Sequence, residues 1–145
     1  MPEKAKRRDT AALIATELAN VDKPLTAYDL LERLRPTGVF APTTVYRALD
    51  KLLASGTIHR IESLNAFVAC RGVEGGPHDH GHGDLGIGFT VCDRCAAVAE
   101  FEDPSLHARI AGVAGAGSFL PRSSIVEIHG LCAACAGSAP IDTRP

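Results

Sequence analysis

Two short cysteine motifs constrain this chain more than any other feature. Cys92-Asp93-Arg94-Cys95 and Cys132-Ala133-Ala134-Cys135 are CxxC pairs with 36 residues between them. Each CxxC turn presents two sulfurs from one bend, and two such turns complete the tetrahedral shell that zinc takes in structural sites. The interval is longer than the roughly 15–20 residues of a compact zinc ribbon. It has room for a strand, a helix and a strand, so a metal on these sulfurs would clamp the ends of a folded unit. Redox dithiols or unrelated buried thiols are the competing uses. The opening MPEKAKRRDT, followed by only a short apolar AALIA, lacks the layout of a secretory signal. No apolar run approaches the roughly 18 residues that span a bilayer. A cytoplasmic chain is therefore expected, and there clustered cysteines hold metal more often than they form disulfides.

Composition changes near Arg71. The segment RGVEGGPHDHGHGDLG is rich in Gly and His and nearly free of aliphatic residues, the character of a connection between packed units. Residues 1–70 carry ten Lys or Arg against eight Asp or Glu, whereas residues 71–145 carry five against nine. That imbalance is too weak to establish nucleic-acid binding, but it separates two regions with different work. The expected division is 1–70, a connection over 71–86, and 87–145.

Before the break, Leu13, Ile14 and Leu18 fall at helical spacing. Thr26 is placed to cap a second helix with Asp29 in its first turn, followed by Leu30, Leu31 and Leu34 before Pro36. A third helix, capped by Thr43 or Thr44, carries Val45, Leu49, Leu52 and Leu53 on one face and stops at Gly56. A hairpin, GTIHRIESLNAFVAC, follows. Three short helices and a hairpin make a winged helix-turn-helix pattern. After the break the order is strand (Ile87 to Val91), strand (Ala97 to Glu102), helix, and strand (Ile125 to Ile128). Asp103 caps the helix, Pro104 takes its first position, and Leu106, Ile110 and Val113 form its expected buried stripe. Ala and Gly leave this unit a thin core, so a metal staple or a dimer interface is expected. The fold class is α+β: a winged-helix domain plus a small C-terminal α/β domain.

The hairpin carries two soft metal-binding side chains, His59 and Cys70. If the tip lies at Leu64 and Asn65, His59 faces Cys70 and Ile61 faces Val68, all on one side of the hairpin. Two ligands do not complete a site. His78, His80 and His82 follow directly in the chain, and Glu100 offers a carboxylate just after the first CxxC. The ordinary roles of these residues are a small buried thiol, a surface metal-picking tract and a solvent-facing acid.

TTVYRALDKL, the hairpin IHRIE and FVAC, the His-rich connection, CDRC and HGLCAAC together resemble the ferric-uptake-regulator superfamily, and within it the zinc-uptake-regulator branch. The resemblance runs from about Ala11 to Ala136. It implies a homodimeric, zinc-responsive repressor of zinc-uptake genes that binds operator DNA, with a winged-helix domain, a C-terminal dimerisation domain and no enzymatic activity. It implies structural zinc on Cys92, Cys95, Cys132 and Cys135. It also implies a second, regulatory zinc on His59, Cys70, a histidine of the connection and Glu100, with His80 favoured over His82 and His78. A further family site, typical of iron and manganese regulators, looks degraded, because His107 and Ser124 stand near its last two ligand positions. His129 is then a packing histidine or a support to the second CxxC.

Thiolate with imidazole suits zinc, whereas imidazole with carboxylate alone suits iron or manganese, so Cys70 is the diagnostic residue. An iron- or peroxide-responsive regulator is the nearest alternative. A small zinc hydrolase or a zinc buffer leaves the helix-turn-helix without a purpose. In a DNA-binding reading the third helix enters the major groove, and its first turns hold Thr44, Tyr46 and Arg47, the last suited to guanine. Tyr28 is expected at base or backbone. Lys51, Arg60 and the leading Lys4, Lys6, Arg7 and Arg8 are phosphate candidates.

Overall fold

A computed structural model describes residues 9–39, 41–71 and 87–137. It divides into two compact units, Met1–Cys70 and Arg71–Pro145. The expected connection, including His78, His80 and His82, lies outside the described residues except for Arg71, as do Lys4, Lys6, Arg7 and Arg8.

In the first unit, helix α1 (Thr10–Ala19) begins where Asp9 accepts the Ala11 N–H at 3.1 Å, and it buries Ala11, Ile14 and Leu18. Strand β1 (Leu25–Thr26) leads into helix α2 (Ala27–Leu34). Thr26 and Asp29 form a reciprocal capping box, which satisfies two N–H groups that an uncapped helix leaves unpaired. These bonds, from the Thr26 backbone first and its hydroxyl second, hold the Asp29 carboxyl below its usual pKa. Leu30, Leu31 and Leu34 are buried, and Pro36 converts the continuation into a 3-10 turn over Arg35–Thr37.

Helix α3 (Pro42–Ala54) does not start at the expected Thr cap: Ala41 is the cap residue and makes no side-chain bond. Pro42, preset for a first helical position, places Thr43 and Thr44 inside the first turn instead. Val45, Ala48, Leu49 and Leu52 are buried, with Leu53 partly so. Gly56, at φ 70, ends the helix: its N–H bonds Leu53 O and that of Thr57 bonds Leu52 O.

Strands β2 (Ile58–Ile61) and β3 (Ala66–Ala69) form the wing, and β1 adds to the free edge of β3. A two-residue strand leaves no periodic signal, which is why the sequence does not betray β1. The hairpin register corrects the expectation. A 3-10 turn over Glu62–Leu64 and a left-handed Asn65 at φ 46 make a longer tip, so His59 pairs with Val68 and Ile61 with Ala66. His59 does not face Cys70. The slip is an even one, however, and an even slip leaves every side chain on its original face.

The second unit is a three-stranded sheet. Central β4 (Ile87–Cys92) pairs antiparallel with β5 (Val98–Glu102) and parallel with β6 (Val126–Gly130). Ile87, Phe89 and Val91 are buried. Gly88 lies under the Phe101 ring of its cross-strand partner, where a Cβ would collide with the ring. Helix α4 (Pro104–Ala116) has the expected Asp103 cap, which accepts from Ser105 N at 2.8 Å, with Pro104 in the first turn. Its apolar stripe is not buried. Leu106 and Ile110 are partly covered, and Val113 is 79% exposed. A short helix α5 (Ala133–Ala136) holds the second CxxC.

Candidate metal centres and nucleic-acid face

The first CxxC leaves the end of β4 in a tight turn. Ala96 N–H donates to Cys92 O at 3.0 Å, and Cys95 N–H points at Cys92 Sγ from 3.5 Å. Closing this turn puts Ala96 at φ 61, a left-handed conformation that non-glycine residues seldom take. The second CxxC begins at Cys132, the cap of α5, and Cys135 follows within that helix. Asp93 N–H donates to Gly130 O at 2.8 Å, which brings the first turn beside the end of β6 and thus beside Cys132.

All four sulfurs lie within 4.8 Å of one another. Cys95 Sγ and Cys132 Sγ are 3.7 Å apart. A disulfide needs about 2.05 Å. A tetrahedron with zinc–sulfur bonds of about 2.3 Å has edges of about 3.8 Å, so these sulfurs fit a zinc shell. Electrostatics within the cluster are asymmetric. Backbone N–H groups, that of Cys132 foremost and then that of Cys95, draw the Cys92 thiol down to about 6. Cys135 is pushed up to about 12, chiefly by the neighbouring Cys132 side chain and then by burial. Within the cluster Cys92 is thus biased toward thiolate, the form a cation binds, and Cys135 toward thiol.

On the wing, His59 is buried and its metal-binding atom lies within 4.8 Å of Cys70 Sγ. Cys70 N–H donates to Thr57 O at 3.0 Å, continuing the hairpin one step beyond β3. His59 and Cys70 are therefore diagonal neighbours on one face, within side-chain reach. Glu100 sits on β5 opposite Phe89, and its carboxylate accepts from Arg71 N–H at 3.2 Å. His129 lies between two acids, Nε2 at 3.0 Å from Glu127 and Nδ1 at 3.5 Å from Asp93, the residue inside the first CxxC. Among the described residues, His107 and Ser124 join no cluster of metal-binding side chains.

The outward face of α3 carries Thr44, Tyr46, Arg47 and Lys51, all exposed. Tyr46 is 56% exposed and Tyr28, at the start of α2, 69%. Neither tyrosine is a core residue. Lys51 Nζ is 3.9 Å from Asp9. Arg60 is held at the wing tip by Asn65, a residue whose role the sequence concealed because an asparagine in a turn ordinarily serves the turn alone.

No protein-family profile matches the chain. The structure resembles that of holo XcZur, which is 41% identical, with a TM-score of 0.77, over 88% of this chain and 84% of that one. This chain belongs to the zinc-uptake-regulator family. A second family structure, a zinc uptake regulator complexed with zinc and DNA, is 35% identical with a TM-score of 0.78, over 89% of this chain and 82% of that one. The zinc uptake regulation protein of Escherichia coli strain K12 is 39% identical over 115 residues, which are 79% of this chain and 63% of that family member.

Proposed function

We propose that this chain is a zinc-responsive repressor that binds operator DNA as a zinc-loaded homodimer in the cytoplasm, silences zinc-uptake genes and catalyses no reaction. One zinc per chain is structural, held by Cys92, Cys95, Cys132 and Cys135. A second is regulatory, held by His59, Cys70, Glu100 and a histidine of the connection, His80 before His82 or His78.

The observation that carries this proposal is the approach of the Cys70 sulfur to His59, within 4.8 Å, on the wing of a winged-helix unit. A thiolate–imidazole pair selects zinc over iron or manganese. The family member solved with zinc and DNA bound lends further support. Bound at such a site, zinc supplies a cross-link between its ligands. His59 and Cys70 offer the wing end of that link, and Glu100 and the connection the other. Order in the connection then becomes affinity, because a dimer binds two half-sites well only when its two heads match their spacing. A bias of a few kcal/mol suffices to turn such a switch.

Arg47, on the outward face of α3, is the proposed base-reading residue, with Thr44, Tyr46 and Tyr28 beside it and Lys51 and Arg60 at phosphates. The test is zinc stoichiometry and DNA affinity for wild type and Cys70→Ala, on a duplex selected by the zinc-loaded protein from random sequence. Loss of one zinc per chain together with loss of DNA binding is expected. Zinc-free protein that binds the duplex as tightly as the loaded form would overturn the switch.

A further inference from the structure

Arg60 stands near the end of β2, on the approach to the wing tip. Its Nη2 donates to Asn65 Oδ1 at 2.8 Å, and its Nε lies 3.6 Å from Glu62 Oε2. The same two residues build the tip, since Asn65 N–H closes the turn on Glu62 O at 3.2 Å. Asn65 adopts φ 46 and ψ 46, a conformation in which asparagine is tolerated and most side chains are strained. The residue that makes the turn possible is thus also the one that grips the arginine.

An arginine on an exposed strand samples many rotamers, and any contact it makes must first remove that freedom. Here two tip side chains remove it in advance. Of the five N–H donors of a guanidinium, Asn65 engages one while Glu62 stands at ion-pair distance from Nε, and the rest remain for an incoming acceptor. The two partners are not equivalent. Glu62 neutralises charge, so it opposes attraction to a polyanion, while Asn65 orients the guanidinium without altering its charge.

We infer that Asn65 is a positioning residue that preorganises Arg60 for a backbone phosphate of duplex DNA. The inference rests on the DNA-binding function proposed above. Its chemistry is that of a phosphate contact, which fixes register without reading sequence.

Asn65→Gly isolates the effect, because glycine keeps the left-handed backbone and removes only the amide side chain. The zinc-loaded full chain is compared as wild type, Asn65→Gly, Arg60→Ala and the double variant, on the selected duplex across a salt series. Zinc content and thermal melting are followed in parallel. Arg60→Ala is expected to weaken binding about tenfold and to lower the salt slope by about one, the mark of one lost phosphate contact. Asn65→Gly is expected to weaken binding about threefold, the cost of ordering one long side chain on binding, with little change in salt slope or zinc content. In the Arg60→Ala background Asn65→Gly should do nothing more. Unchanged affinity in Asn65→Gly, or a loss that persists undiminished when Arg60 is absent, overturns the inference and leaves the DNA-binding proposal standing. Failure of zinc-loaded wild type to bind any duplex removes both.

Discussion

The two units meet the need to bury apolar surface in opposite ways. In the first, Ile14, Leu18, Leu30, Leu34 and Leu49 are almost wholly enclosed by their own helices and sheet. In the second, the buried described residues are confined to Ile87, Gly88, Phe89, Val91 and Cys92 along one strand. No residue of its helix α4 is fully buried, and beyond that helix Phe119 is 68% and Leu120 86% exposed. A fold can be closed by area or by bonds. The first unit uses area, at about 1.5–3 kcal/mol per buried aliphatic side chain. The second has four sulfurs that fit one zinc ion, and an apolar face of a kind that commonly marks an association surface.

Removing metal tests that contrast most strongly. Structural zinc contributes on the order of 10 kcal/mol in small zinc-finger peptides, so chelation or Cys95→Ser should strongly destabilise the second unit and spare the first. Hydrogen exchange is the check: amides of β4, β5 and β6 should lose protection while those of α1 and α3 keep theirs. Equal loss in both units would mean that they are not stabilised separately.

Acid sharpens the same difference. Sulfur binds zinc as thiolate, so affinity at the four-cysteine site should fall as pH falls, and loading at neutral pH should release the proton held by Cys135. Calorimetry in buffers of differing ionisation enthalpy measures that proton. Without metal the sign divides between two groups. The Cys92 pKa is lowered from 9.0 to about 6, so its contribution is present above the unfolded value and fades as pH falls through 6. That of Cys135 is raised from 9.0 to about 12, so its contribution is present below 9 and fades as pH climbs toward 12. From these two groups the zinc-free second unit should be most stable near pH 9, and a maximum near pH 5 would contradict the assignment.

Truncation inside the closed core comes next in size. Leu49→Ala should lower the stability of the first unit by about 2–5 kcal/mol in denaturant titrations without changing zinc content. Val113→Asp, on the exposed stripe of α4, should change the folding stability of a single chain by only about 0.5 kcal/mol, yet dissociate the proposed homodimer in sedimentation. A dimer that survives Val113→Asp does not use this face. Gly88→Ala forces a methyl against the Phe101 ring and should cost the second unit about 1–3 kcal/mol by the same titration. One further effect is favourable: Ala96→Gly relieves a left-handed alanine at the first CxxC and should raise the melting point by a few degrees, worth about 1 kcal/mol.

The parts of this fold set by short-range rules could be read in advance. Thr26 caps α2, Gly56 stops α3 and Asp103 with Pro104 opens α4, because each depends on hydrogen bonds within a few residues. The wing was read with the correct face and the wrong partner. The two-residue tip at Leu64-Asn65 is an assumption, since Leu-Asn suits a type I′ turn poorly, and the 3-10 turn over Glu62–Leu64 lengthens the loop and shifts the pairing. For helix α4 the start is legible and the surroundings are not, since periodicity shows which side of a helix is apolar and says nothing of whether the same chain covers it.

By itself the sequence determined which residue types are available and how far apart they stand: two CxxC pairs, a soft His–Cys hairpin and four helices with apolar stripes. Those are covalent and short-range facts. Tertiary structure alone decided that Cys95 and Cys132 stand one zinc-shell edge apart and that His59 and Cys70 meet on a diagonal. It also decided that Asn65 holds Arg60. Such distances between residues remote in the chain depend on strand register and on the path of the loops between, and a small change in either moves a ligand atom by several ångströms.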